Sequence, residues 1–144
     1  MTRKFLISSA IAVLVGFASV PAMANDLFIQ QYGWGNAAGG AQGGFGNQLG
    51  VYQNGIVNTA IGQQYGVGNV GAIGQEGFNN YGETYQNGNF NEAGIGQFGA
   101  NHTAILSQDG NGNIAAGVQV GNGCSASATQ VGAGNVAAFV QVCP

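Results

Sequence analysis

The sequence predicts an all-β chain, a β-solenoid with two strands in each 22-residue coil. Three observations predict it: an unbroken eleven-residue repeat, strict alternation within that repeat, and a composition rich in glycine but almost without charge. Glycine makes up 28 of 144 residues, charged residues 5%, and Lys+Arg total 2. Hydrophobic residues still reach 45%, which separates the chain from ordinary charged-polar disorder.

Glutamine recurs every eleven residues, at Gln31, Gln42, Gln53, Gln64, Gln75, Gln86, Gln97, Gln108, Gln119, Gln130 and Gln141. Two residues after each of the first ten stands glycine: Gly33, Gly44, Gly55, Gly66, Gly77, Gly88, Gly99, Gly110, Gly121 and Gly132. Five after glutamine comes asparagine, at Asn36, Asn47, Asn58, Asn69, Asn80, Asn91, Asn113 and Asn135, with His102 and Cys124 in the two remaining places. Seven after it stands alanine or glycine, except at Leu49. A period this regular is the signature of a stacked repeat architecture.

From asparagine through alanine to glutamine and glycine, the fixed residues fall at every second position, the period of a strand. Two residues separate the glycine from the next asparagine, a tight-turn length flanked by residues that tolerate turn dihedrals. Each unit therefore reads as a strand of about nine residues and a two-residue turn. The first strand is Asn25–Gly33, with Leu27 and Ile29 inward, and the last is Asn135–Cys143. Eleven such strands make about five and a half coils, each rising about 4.8 Å.

Alternation places asparagine, alanine, glutamine, glycine and the residue two before glutamine on the inner face. All five acids (Asp26, Glu76, Glu83, Glu92 and Asp109) fall on the outer parity, as the cost of burying an unpaired carboxylate demands. Two before glutamine, alternate strands carry Ile29, Val51, Ile73, Ile95, Gly117 and Phe139. The intervening strands carry Gly40, Gly62, Thr84, Leu106 and Ala128. Mostly large side chains thus face mostly small ones across a thin core. In-register stacking sets glutamine over glutamine and asparagine over asparagine, so buried amides are predicted to bond along the axis as a ladder.

Residues 1–24 read as a secretory signal peptide. Arg3 and Lys4 precede an apolar stretch from Phe5 to Val20, and Pro21-Ala22-Met23-Ala24 supplies an A-x-A cleavage site before Asn25. The apolar stretch is short for a spanning helix and contains Ser8 and Ser9, so no membrane span is expected in the mature chain. The solenoid then occupies residues 25–144. Without Arg3 and Lys4 no basic side chain remains to neutralise phosphates, which excludes nucleic acid as a partner. One histidine, no further lysine and scattered acids leave little to build a catalytic site from. No enzyme activity, cofactor or metal is predicted.

Cys124 and Cys143 both lie on the inner parity, in a chain bound for an oxidising compartment. Layer offset and lateral spacing suggest a Cα separation of about 6–7 Å, near the upper limit for a disulfide that would clamp the C-terminal coil. The alternative is a pair of small buried thiols. Other local patterns are weaker. Gly66–Gly71 matches G-x-G-x-x-G but opens a strand rather than a helix, and Asp109–Asn113 lacks the later glycine and glutamate of a calcium loop. Asn101-His102-Thr103 is a glycosylation sequon by pattern only, and His102 is expected to bond as the asparagine it replaces.

Phe28, Tyr32, Trp34, Phe45, Tyr52, Tyr65, Phe78, Tyr81, Tyr85, Phe90 and Phe98 fall on outer or turn positions. Such aromatics mark either a contact surface or cross-strand pairs that stiffen the sheet. A core of alanine and glycine buries little apolar area against a backbone cost of about 1–2 kcal/mol per residue. Both ends of the stack would expose unpaired strands, and no proline stands between Pro21 and Pro144 to block them. End-to-end addition of further copies of the chain satisfies those edges and gives an unbounded fibre.

The unit Q-x-G-x-x-N-x-A-x-x-x behind a secretory leader resembles the curlin repeat of bacterial curli subunits, and the resemblance covers essentially all of residues 25–144. It implies an extracellular functional amyloid of the biofilm matrix, exported through the periplasm and a dedicated outer-membrane channel to a cell-surface fibre. It also implies a nucleator subunit as partner, the glutamines and asparagines above as ladder residues, and the glycines as turn residues. The last repeat is regular and cation-free, which resembles the major rather than the minor, nucleating subunit. The separate glycine-rich export segment usual in the major subunit has no counterpart, since Asn25 opens a strand at once. The competing class is a soluble, capped β-solenoid binding module, which would need a polar, non-repeating terminus.

Overall fold

In a computed structural model the described residues are 24–144. The expected leader, residues 1–24, lies outside them except for its final alanine. Eleven strands follow: β1 (Asp26–Trp34), β2 (Ala37–Phe45), β3 (Gln48–Ile56), β4 (Thr59–Val67), β5 (Val70–Phe78), β6 (Tyr81–Asn89), β7 (Glu92–Ala100), β8 (Thr103–Asn111), β9 (Ile114–Asn122), β10 (Ser125–Ala133) and β11 (Val136–Cys143). Odd strands form one parallel sheet in the order β1-β3-β5-β7-β9-β11, and even strands a second, β2-β4-β6-β8-β10. Each residue pairs with the one 22 positions on, Gln31 with Gln53 and Gln42 with Gln64. This is the all-β solenoid of two strands per coil that the repeat predicts. Among the described residues no helix is long and apolar enough to cross a membrane.

The strands start one residue later than the repeat suggests, β1 at Asp26 rather than Asn25. The reason is the corner. Each glycine two after a glutamine keeps its place in the parallel ladder, Gly33 opposite Gly55, while adopting a positive φ, from 104° at Gly33 to 134° at Gly55. The residue two further on takes the left-handed conformation proper, with φ between 52° and 74°. The chain therefore turns between those two residues, and the asparagine that follows serves the corner instead of opening the strand. Corner amides remain in the stack as well: Asn79 N–H donates to the Ile56 carbonyl one coil before, at 2.9 Å.

Left-handed corner residues are glycine at six positions but Val57, Asn79, Phe90 and Asn101 at four. A β-branched residue is the least suited to that region, so Val57, at φ 52°, sits under backbone strain. Val57→Gly is expected to raise the guanidinium midpoint by an amount equivalent to about 1 kcal/mol, the relief of strain exceeding the added chain entropy. An unchanged or lower midpoint would show the corner to be unstrained.

The core is one residue thick on each side. Leu49, Val51, Ala60, Ile73, Ala93, Ile95, Ala104, Leu106 and Ala115 form a single buried cluster, with Ala38, Ala128 and Phe139 packed against it. Leu49, the one large residue in the alanine row, is accommodated by glycines around it. A Cβ on Gly62 would overlap its methyls, and one on Gly40 or Gly71 would press on them at 2.9 Å and 3.1 Å. Gly117 likewise leaves room for the ring of Phe139, one coil above it. Thr84 is buried, and its hydroxyl has no hydrogen-bond partner among the described residues.

Candidate functional site

The glutamines build the interior. Gln53, Gln64, Gln75, Gln86, Gln97, Gln108 and Gln119 are wholly buried, and Gln130 nearly so. From Gln31 to Gln119 each Nε2 donates one hydrogen to the Oε1 of the glutamine one coil on, at 2.7–3.1 Å. The chains run Gln31–Gln53–Gln75–Gln97–Gln119–Gln141 in one sheet and Gln42–Gln64–Gln86–Gln108–Gln130 in the other. The second hydrogen crosses the core to a carbonyl 16 residues back, on the preceding strand: Gln42 to Asp26, Gln75 to Thr59, Gln141 to Ser125, at 2.9–3.2 Å. This bond recurs in every unit from Gln42 onward. Both amide hydrogens are thereby satisfied, and a buried amide costs free energy only when it is not.

The asparagines bond differently from a simple amide ladder. Direct amide-to-amide contacts join Asn69 to Asn47, Asn91 to Asn69 and Asn135 to Asn113. The recurring bonds are to backbone. The Oδ1 of Asn36, Asn47, Asn58, Asn69, Asn80, Asn91 and Asn113 accepts the main-chain N–H of the equivalent residue one coil on, at 3.0–3.1 Å. Their Nδ2 donates to the carbonyl of a corner glycine 19 residues ahead, as Asn58 does to Gly77 at 3.0 Å. Asn69 and Asn91 do both, donating to an asparagine one coil back and to a corner carbonyl ahead, but it is the corner bond that recurs from unit to unit. His102 keeps the acceptor half of this role: its Nδ1 accepts the Cys124 N–H at 3.1 Å, while Nε2–H faces the Phe98 carbonyl four residues back at 3.2 Å.

The corner glycines are required twice over. Beyond their positive φ, a Cβ at Gly33, Gly44, Gly55, Gly66, Gly77, Gly88, Gly99, Gly110 or Gly121 would overlap the carbonyl oxygen of the equivalent residue in the next coil. At Gly132, one unit from the C-terminal end, the nearest atom is the Asn135 amide at 3.6 Å.

At the last corner the asparagine-to-glycine bond is replaced by a covalent one. Cys124 occupies the asparagine place and Cys143 the glycine place, the same 19 residues apart, and a disulfide joins them with Cα atoms 5.6 Å apart. Alkylation of the unfolded, unreduced protein is expected to add no label, and alkylation after reduction to add two. Closing a loop of this length contributes on the order of 3 kcal/mol, so reduction is expected to speed amide exchange in β10 and β11 first. Two free thiols before reduction would sink this.

Further polar rows lie outside the repeat's fixed positions. Asn79 donates to Asn101 and Asn101 to Asn122, while Asn89 and Asn111 accept corner N–H groups from Val67 and Asn89. Their signal in the sequence is asparagine 22 residues apart at Asn79 and Asn101 and at Asn89 and Asn111, whereas Asn122 stands 21 after Asn101. On the outer face Tyr32 packs on Tyr52 and Tyr65 on Tyr85, each pair with ring centroids 6.1 Å apart. The Tyr81 hydroxyl donates to Glu83 at 2.6 Å, which with partial burial pushes its pKa up to about 12. Trp34, Phe28, Phe90, Val136, Val140 and Val142 are exposed, Trp34 at 81%.

The two ends complete the site. Among the described residues nothing covers the outer edges of β1 and β2 or of β10 and β11. The β1/β2 end presents the acceptors Gln31 Oε1 and Gln42 Oε1, and the β10/β11 end presents one unused Nε2 hydrogen each from Gln130 and Gln141. Along the glutamine rows, donors face one way and acceptors the other.

The class defined by this fold and site is an open-ended parallel β-solenoid with stacked amide ladders. Residues 79–110 match the family model of the curlin associated repeat. The stretch spans β6 and β7 entire and β8 as far as Gly110. No curated protein matches the chain significantly.

Proposed function

We propose that this chain is the structural subunit of an extracellular curli-type amyloid fibre, serving matrix and adhesion, and that it has no catalytic role. The observation that carries this reading is the polarity of the uncapped ends: two amide acceptors and two strand edges at one, two amide donors and two edges at the other. A second copy of the chain supplies the complement to each, and the addition leaves the same end open again. The curlin associated repeat and the expected leader, residues 1–24, support export through the periplasm and an outer-membrane channel, with a nucleator subunit as a further partner. The regular, cation-free last strands favour the major subunit over the nucleator.

Purified residues 25–144 are expected to increase thioflavin fluorescence with time after a lag. The resulting fibres are expected to diffract at about 4.8 Å along their axis. A monomer that stays soluble with native strand content, and does not seed, would favour the capped binding module and overturn the proposal.

A further inference from the structure

The geometry points to a definite register between copies: the incoming chain docks turned by half a revolution, its β1 on β10 and its β2 on β11. The inference rests on the fibre reading above and specifies the interface that reading requires.

The argument starts from the strand count. Six strands lie in one sheet and five in the other. The bond from each glutamine to the carbonyl 16 residues back joins every strand to its predecessor, in both sheets alike, from Gln42 to Asp26 through Gln141 to Ser125. Successive eleven-residue units are therefore related by one repeated operation, a half turn with a rise of half a layer. β11 is the eleventh step of that operation. The twelfth step falls in the even sheet, on β10, and the thirteenth on β11.

If β1 of the incoming copy takes the twelfth place, the glutamine ladders continue in both sheets. Gln130 donates to Gln31 of the incoming copy, and Gln141 donates to its Gln42. The second Nε2 hydrogen of the incoming Gln31, which has no preceding strand in its own chain, reaches the Val136 carbonyl. Gly40 arrives over Phe139, as Gly117 lies beneath it. Asn135 Oδ1 meets the main-chain N–H of the incoming Asn36, the bond Asn113 makes to Asn135 within the chain. If the copy instead docks without rotation, β1 on β11, its β2 stands two layers above β10. One strand is then missing from the even sheet, both flanking edges stay unpaired, and the incoming Gln31 finds no carbonyl across the core. Unpaired backbone in a dry interior is the larger cost, so the rotated register wins.

The experiment uses fibres grown from a mixture. One population carries p-benzoylphenylalanine in place of Phe28, an exposed outer residue of β1, and the other is 15N-labelled and probe-free, so links between copies are told apart by mass. The rotated register places Phe28 beside Ser127 of β10, and a second probe at Phe45 of β2 beside Pro144. The unrotated register places them beside Ala138 and Ala133. Cross-links to Ser127 and Pro144 are expected. Helical reconstruction is expected to give a rotation near half a turn per copy and a rise of about 26 Å, against near-zero rotation and about 29 Å for the alternative. Fibres whose links fall on Ala138 and Ala133 overturn the register and leave the fibre reading intact. Failure to form fibres overturns both.

Discussion

Gln75→Glu is expected to stop assembly at neutral pH and to permit slow growth in acid. Gln75 is fully buried in the middle of its ladder, donating to Gln97 Oε1 at 2.8 Å and to the Thr59 carbonyl at 2.9 Å, and accepting from Gln53 at 2.7 Å. A carboxylate keeps the bond from Gln53 but turns oxygen toward two acceptors. Burial and those acceptors both raise the folded-state pKa of the new acid above the ordinary value of about 4.3. For an acid whose pKa is raised by folding, stability is present below the unfolded value and is lost as pH rises through the folded one. Growth is therefore expected near pH 3–4 and absent at pH 7. Gln75→Leu removes the charge but leaves the Gln53 donor, the Thr59 carbonyl and Gln97 Oε1 unpartnered. It is expected to cost on the order of 3–5 kcal/mol at every pH. Thioflavin growth curves for both variants across pH 3–7 measure this, and wild-type rates for Gln75→Glu at pH 7 would show that the amide row is not a buried ladder.

Gly77→Ala is expected to be as damaging, for a reason with no polar component. Gly77 has φ 123° in β5, and a Cβ there would overlap the carbonyl oxygen of Gly99 in β7. Conformational strain costs about 1–2 kcal/mol, and the overlap parts two layers that backbone and side-chain bonds hold together. A loss of several kcal/mol follows, read as a lag at least tenfold longer. Gly50→Ala, within β3, is the control. Nothing lies within 4 Å of its Cβ position, its φ is not left-handed, and its growth is expected to match wild type. Equal lags for the two variants would mean that corner glycines are not the tight point of the stack.

The contrast between these two glycines shows how much was legible in advance. Gly77 belongs to a row repeated every eleven residues, so its importance is visible in the period, whereas Gly50 falls on the outer face and carries no such mark. The same period exposed the 22-residue coil, the inner parity of the glutamines and the outer parity of the five acids, because a stacked repeat must place equivalent residues in equivalent surroundings. Val57 and Phe90 gave no warning of their left-handed corners. Glycine holds the equivalent place at Gly35 and Gly46, but no residue is fixed there, and the strain is tolerated because stacking on both sides over-determines the backbone. The tolerance of Leu49 was equally hidden, since Gly40, Gly62 and Gly71 gather around it only when two sheets close on each other.

What the eleven-residue period determined by itself is the repeating pattern: strand, face, coil and ladder, all consequences of side-chain alternation and chain length per layer. What only the tertiary structure decided is how each polar group is divided between its neighbours. Glutamine, one methylene longer, reaches both the next layer and the opposite strand, while asparagine, held at a corner, turns to the backbone. That division depends on distances between strands far apart in the chain, and it sets the direction in which unsatisfied donors and acceptors point at the two ends.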